Sequence, residues 1–418
     1  MLELITGADE TEVRKPLVGA TLDDLARAGA QRMIETALRV EVEEYVARYQ
    51  RERDAAGHAL VVRNGTARPR PVLTGVGPLR FAAPRVNDRR VLTGHRQKFT
   101  SAILPPYVRR SPRVESVLPL LYLHGLSTGD FREALPALLG ADAAGLSPST
   151  ITRLTTAWAA EYTAFRRRDL ADRDYVYLWA DGIHFRIRLE EERLCTLVLI
   201  GVRPDGTKEV VALEDGYRES GESWRGVLRD LKARGLRAPV LAVGDGALGF
   251  WAALRKVFGE TREQRCWLHK TANVLNNMPK SVQPRAKADI HEIWMADTRV
   301  AANQAFDSFL ETYGAKYPKA CECLGKDRDE LLTFYDFPAE HWKHLRTTNP
   351  IESVFATVRL RHKRTKGSGS RVACLAMVHQ LMLSASKRWK LLNGAKLIPD
   401  VIQGIQFTDG VKSQEAAA

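Results

Sequence analysis

The most constraining feature of this sequence is a change of period near residue 174. YVYLWADGIHFRIRLE, RLCTLVLIGV and KEVVALEDGY are β-rich runs separated by EEE and by the turn residues Pro204, Asp205 and Gly206, and they predict three consecutive antiparallel strands. Trp224, Val227, Leu228 and Leu231 then recur at i, i+3, i+4 and i+7, the apolar stripe of a helix that stops at Gly235. APVLAV is continuous rather than alternating, as expected of a strand buried on both faces, and Phe250, Trp251, Leu254, Val257 and Phe258 form a second helical stripe. The resulting order is βββαβα, with a short possible strand at QRCWL. In such a sheet the first and fourth strands lie side by side.

Two acids stand at those strands. Asp181 interrupts an otherwise apolar run, where an unpaired carboxylate would cost several kcal/mol unless neutralised or bound to a cation. Asp245 ends the buried run within GDG, where open α/β sheets place functional groups, although a turn or helix-capping aspartate fits the same position. Carboxylates facing each other across adjacent strands repel, and a hard divalent cation such as Mg²⁺ or Mn²⁺ relieves that repulsion. A third acid is available in TTNPIESVFATVRLRHKR. There Ile351, Val354, Phe355 and Val358 form the packed face, Glu352 lies at its flank and Arg359 two turns further on the same side. Asn349 as N-cap, Pro350 as the first helical residue and Glu352 two residues on would equally make a capping box.

The rest of the chain is helical or basic. Residues 21 to 50 read as an amphipathic helix or helix pair starting at Thr21, with Leu22, Leu25, Met33, Ala37 and Val40 as its apolar positions. Between Arg51 and Arg113, fourteen Lys or Arg stand against three acids, in a Pro- and Gly-rich stretch suited to small strands. This segment carries most of the chain's net charge of +13, a surplus that favours a polyanionic partner. Val114 to Glu161 predicts three helices, with Ser127 and Ser147 as N-caps and Gly125 and Gly140 as stops. Ser149, Thr150, Thr152 and Arg153 on the third would face DNA if the unit is a helix-turn-helix; a plain bundle segment reads the same way. Residues 280 to about 340 are all helical, and a final helix pair follows. No 18-residue apolar run spans a membrane, the start MLELITGADETEVRK has no signal-peptide centre, and five irregularly spaced cysteines do not form a disulfide framework, so a cytoplasmic protein is expected.

The motif set resembles the bacterial insertion-sequence transposases of the Mutator type. It is carried by DG at Asp181 and Gly182, VGDGALGFWAAL around Asp245, QRCWLH with Cys266 and His269, and TTNPIES with Glu352 followed seven residues later by Arg359. LYLHGLSTGDF and LSPSTITRL extend it upstream. The resemblance implies an α/β (mixed α+β) chain with an RNase H-like core. It also implies an Asp181, Asp245, Glu352 triad holding two Mg²⁺ ions, with Mn²⁺ as possible substitute, for DNA strand cleavage and strand transfer. The implied partners are double-stranded DNA, terminal inverted repeats and target DNA; recombination through two ends calls for a homodimer, for which the amphipathic helix of residues 21 to 50 is the candidate contact. Arg359, Arg361, Lys363, Arg364 and Lys366 would hold phosphates. Cys266 and His269 are the family's C-x-x-H pair, expected at the periphery of the active site; chemically they are half a zinc site, which Cys321 and Cys323 are badly spaced to complete.

The expected organisation is a helical and basic DNA-binding or dimerisation region over 1–110 and a helix-turn-helix-like domain over 111–170. The core follows over 171–279, an all-helical insertion over 280–340, the Glu-bearing second part of the core over 341–395 and a tail over 396–418. A resolvase-like nuclease and a non-catalytic DNA-binding regulator are the alternative functions.

Overall fold

The computed structural model describes residues 20–126, 130–139, 148–187, 193–216, 220–246, 248–364, 368 and 370–413. The expected caps and stop at Ser127, Ser147 and Gly140, the EEE turn and Lys366 lie outside them. The chain forms two compact units, Met1–Tyr122 with Leu126–Thr150 and Leu123–Gly125 with Ile151–Ala418.

The first unit begins with α1 (Leu22–Arg48), a single helix rather than a pair. Its start is a reciprocal capping box: the Asp24 N–H donates to the Thr21 hydroxyl, and the Thr21 N–H to the Asp24 carboxylate. The buried stripe differs from the expected one. Leu38 and Val42, flanked by Ala30 and Ile34, pack on Val72, Leu79, Phe81 and Leu104, whereas Leu22, Leu25 and Met33 are exposed. Helical spacing permits both stripes, and the strands that cover one of them are remote in sequence.

Those strands are short antiparallel pairs: β1 (Val61–Thr66) with β4 (Pro84–Asp88), β2 (Arg70–Thr74) with β3 (Gly77–Phe81), and β5 (Val91–Leu92) with β6 (His95–Arg96). Part of the basic surplus is structural here. Arg90 is buried over the Tyr49 ring and bonded to Asp88, whose carboxyl it holds down at about 2 with help from the Tyr45 hydroxyl. Helices α2 (Pro112–Leu123) and α3 (Asp130–Leu139) follow.

The boundary between units falls in the first turn of α4 (Pro148–Arg167). The body of α4 lies on the second unit's sheet, where the Tyr162 hydroxyl donates to the Leu213 carbonyl at 2.8 Å. That sheet contains β7 (Tyr177–Arg186), β8 (Arg193–Val202), β9 (Lys208–Gly216), then, after α5 (Gly221–Ala233), β10 (Leu241–Gly244), and after α6 (Leu248–Val257), β11 (Arg262–Arg265). Its order is β11-β10-β7-β8-β9, with the first three strands parallel and the rest antiparallel. The expected strand and helix order is therefore present, the first and fourth strands are neighbours, and the QRCWL strand ends before Cys266.

Alternation along the strands divides the sheet into two faces. Leu178, Ala180 and Ala242 face α5 and α6, where Trp224, Val227, Leu228 and Leu231 are all buried as the periodicity predicts. At roughly 1.5–3 kcal/mol for each large apolar side chain, this layer is a dominant stabilising term. Tyr177 and Trp179 face the other way, bonding to His341 and to the His344 carbonyl. This second face is covered by the all-helical block: α7 (Trp267–Leu275), α8 (Gln283–Met295), α9 (Arg299–Gly314), α10 (Pro318–Gly325), α11 (Arg328–Leu332), a 3-10 turn at Thr333–Asp336 and α12 (Ala339–Leu345). Helices α13 (Asn349–Arg364) and α14 (Arg371–Ser386) complete it. The described residues end with α15 (Ile398–Ile402) and a hairpin of β12 (Phe407–Thr408) and β13 (Val411–Lys412), with Gly410 packed against Ala339 and Trp342.

His379 of α14 is 2% exposed, its ring 4.4 Å from Phe165 of α4, and neither ring nitrogen has a hydrogen-bond partner. Burial, reinforced by Arg168, pushes its pKa down to about 4. The unfolded chain takes up a proton at this residue below about pH 6.5 while the folded one resists, so stability falls as pH drops from there towards the folded value. His379→Leu is expected to flatten the decline of melting temperature between about pH 7 and about pH 5. Calorimetric slopes identical to those of the parent protein would contradict this.

Candidate active site

The parallel register aligns the two aspartates. Ala180 of β7 pairs with Gly244 of β10, and Gly244 with Arg265 of β11, so Asp181, Asp245 and Cys266 each follow the last paired position on three adjacent strands, which pair about 4.8 Å apart. Asp181 follows Tyr177 and Trp179 at even spacing and so belongs to the face covered by α12 and α13; Asp245 follows Leu241 and Val243 in the same way. Both acids are half-buried. The Gly182 N–H donates to an Asp181 carboxylate oxygen at 2.8 Å, and the Asp245 carbonyl is clamped by Trp251 Nε1 at 2.9 Å and Arg265 Nη1 at 3.0 Å.

Glu352 reaches the same place from α13, which packs on β7. The helix starts one residue earlier than the sequence suggests, since the Thr348 carbonyl accepts from the Ile351 and Glu352 N–H groups. Thr348, not Asn349, takes the capping position. The Glu352 carboxylate accepts instead from the Thr348 hydroxyl at 3.1 Å, and its side chain remains 34% exposed.

His269, in the first turn of α7, joins the three acids. Its Nε2 lies 3.7 Å from Glu352 Oε1, and its pKa is pushed up to about 9, chiefly by hydrogen bonding to Cys266 and further by the charges of Cys266, Asp181 and Asp245, against the opposing effect of burial. One ring thus lies 3.7 Å from one carboxylate and in the field of the other two. Cys266 is 1% exposed and precedes α7, with its Sγ 3.3 Å from the Thr348 N–H. Cys266, His269 and Glu352 form the cluster of possible ligand atoms found among the described residues, all within 4.8 Å of one another; Cys321 and Cys323 are not part of it.

The remaining predicted residues are dispersed. Arg359 is exposed with its guanidinium 5.7 Å from the Phe355 ring centroid, and Lys363 is exposed. Arg361, expected among the phosphate-holding cations, is only 3% exposed because it falls on the packed face of α13 three residues after Val358. Arg364 ends the helix, and its side chain is outside the described set. Ser149, Thr150, Thr152 and Arg153 are on the first turns of α4, with Thr152 and Arg153 exposed.

Sequence reasoning missed the groups that hold this edge together. Lys270 is 4% exposed and ion-paired with Asp327, its Nζ also donating to the Cys323 carbonyl at 2.9 Å. Arg265 Nη2 lies 3.7 Å from the same aspartate. Asp327 precedes α11 about eighty residues from Asp245, and no local pattern marks it.

Comparison with known proteins agrees with this arrangement of motifs. Residues 4–391 match the family described as Transposase, Mutator family. The chain is 59% identical over 297 residues to the transposase for insertion sequence element IS6120 of Mycolicibacterium smegmatis, covering 71% of this chain and 92% of that protein. It is 51% identical over 288 residues to the transposase for insertion sequence element IST2 of Acidithiobacillus ferrooxidans, covering 67% and 95%. A more distant relative, the transposase for insertion sequence element ISRM3 of Rhizobium meliloti, is 26% identical over 392 residues, covering 93% and 92%. The chain belongs to the Mutator family of transposases. Among the described residues, no helix is long and apolar enough to cross a membrane.

Proposed function

We propose that this chain is the transposase of an insertion sequence, binding the terminal inverted repeats and cutting and joining DNA strands at Asp181, Asp245 and Glu352. The observation that carries the reading is the convergence of these acids, from two adjacent parallel strands and one covering helix, on a single histidine. The sheet order supports an RNase H-like core, and the names of the relatives support an insertion sequence as substrate.

The donor set suits Mg²⁺, or Mn²⁺ in its place: three carboxylates are hard oxygen ligands, and they lie half-buried where the parallel part of the sheet ends rather than inside the core. Two such ions, when bound, would lower the pKa of the attacking hydroxyl and stabilise the departing oxygen of an in-line displacement at phosphorus. The chain's own task is placement. Gly182 orients the Asp181 carboxylate, Arg265 and Trp251 fix the Asp245 backbone, and Thr348 holds Glu352. His269, protonated, offsets the mutual repulsion of the acids. Backbone phosphates are held by Arg359, Lys363 and the exposed cations of residues 51–113, with Thr152 and Arg153 on a helix-turn-helix-like α4 contributing to end recognition and two copies synapsing the ends. Incubating the purified protein with DNA carrying the element's flanking repeats should produce Mg²⁺-dependent nicks at the repeat ends, abolished by chelation. Binding without any cleavage would favour the regulator instead.

Arg359 lies seven residues beyond Glu352, about 10.5 Å along the helix axis. That is the reach of a phosphate neighbouring the one being cut. Arg359→Ala is expected to weaken end binding and slow cleavage while changing stability by less than about 0.5 kcal/mol, and Arg359→Lys, lacking the bidentate fork, to recover only part of the rate. Unchanged cleavage in the alanine variant would remove the contact.

A further inference from the structure

The C-x-x-H pair and Glu352 look at first like three-quarters of a thiophilic metal site. Their centre argues otherwise. The Thr348 hydroxyl oxygen lies 3.1 Å from Glu352 Oε1, 3.4 Å from Cys266 Sγ and 3.4 Å from His269 Nδ1, so all three side chains converge on a hydroxyl fixed to the chain. Thr348 is 0% exposed, and its own N–H donates to Cys266 Sγ, which ties the residue to the start of α7 through both backbone and side chain.

Hydrogen-bond bookkeeping gives these contacts a direction. A threonine hydroxyl has one hydrogen to donate and two lone pairs to accept with, and an ionised carboxylate can only accept. The single hydrogen therefore goes to Glu352 Oε1, the shortest of the three contacts, and the Cys266 sulfur and His269 Nδ1 flank the same hydroxyl oxygen. The bond to Glu352 fixes Oε1 from the start of the helix and leaves Oε2 for another partner. We infer that Thr348 is the positioning residue that sets Glu352 for the divalent cation and makes the C-x-x-H pair a support for that carboxylate rather than a ligand set of its own. This inference rests on the triad reading above.

Outer partners of metal-binding carboxylates typically alter affinity or activity by about 10- to 100-fold when removed. The test is Mn²⁺ binding to the DNA-free full-length protein, followed by electron paramagnetic resonance, with melting temperature and circular dichroism recorded on the same samples. Thr348→Val keeps the shape and loses the hydroxyl; it should bind Mn²⁺ roughly tenfold or more weakly. Thr348→Ser restores the hydroxyl and should return to within about threefold of the parent, since the same charge-assisted bond re-forms. The Mg²⁺ concentration giving half-maximal end cleavage should move in step, which a merely structural loss would not cause. Thr348→Ala provides a smaller side chain should valine disturb packing, and a folded valine or alanine variant with parent-like Mn²⁺ affinity overturns the inference. Glu352→Gln separates the two levels. If it binds Mn²⁺ like the parent, the triad reading itself fails; if it loses Mn²⁺ while Thr348→Val keeps it, only the role of Thr348 fails.

Discussion

Asp181→Asn, Asp245→Asn and Glu352→Gln are each expected to reduce strand cleavage by roughly three orders of magnitude or more, because groups that act as one unit lose nearly the whole effect when any member is removed. Affinity for the terminal repeat should stay within a few-fold in all three, since the acids face the reacting phosphate and the duplex is held by cations elsewhere. Glu352→Gln is the sharpest of them. The Thr348 hydroxyl can still donate to the glutamine carbonyl oxygen, so α13 keeps its start and only the charge is lost. Cleavage and filter binding measured side by side decide the matter. A variant that cuts at near the parent rate removes that residue from the triad, and one that loses DNA binding in parallel has a structural fault.

Asp327→Ala is expected to have the largest effect on stability, about 3–5 kcal/mol, by leaving the buried cations Lys270 and Arg265 without their shared anion. Replacing Lys270 by Met should cost less, because Asp327 keeps Arg265 as a partner. The loss would reach the site as well. Arg265 donates to the Asp245 carbonyl, and Lys270 directly follows His269 on α7, so a relaxed Asp327 frees both the second strand and the histidine helix. Denaturant midpoints for the two variants, with cleavage rates below the transition, test this. Equal small shifts would mean that water already reaches the trio.

How far the sequence discloses this depends on whether neighbours along the chain or neighbours in space set the structure. The sheet was legible because its determinants are local. Trp224, Val227, Leu228 and Leu231 mark one face of α5, and the unbroken APVLAV marks a strand covered on both sides. The candidate acids were legible because carboxylates are rare in buried strands and just past their ends, so Asp181 and Asp245 stand out against apolar runs. Where a residue's environment is built by remote segments, pattern fails. On α1 two apolar stripes compete, and the buried one is chosen by Val72, Leu79 and Phe81. Arg361 looks like one more cation in RLRHKR until the helix phase places it beneath α13. Thr348 carries no signal beyond preceding Asn349 and Pro350, yet its hydroxyl is where Cys266, His269 and Glu352 meet.

The central claim is that Asp181, Asp245 and Glu352 together hold divalent cations. Anomalous diffraction from crystals of the full-length protein soaked in Mn²⁺ tests it most directly. The predicted result is two peaks among the three carboxylates, weakened or lost in Glu352→Gln. A peak ligated instead by Cys266 and His269, or no peak at the edge of β7 and β10, would contradict it.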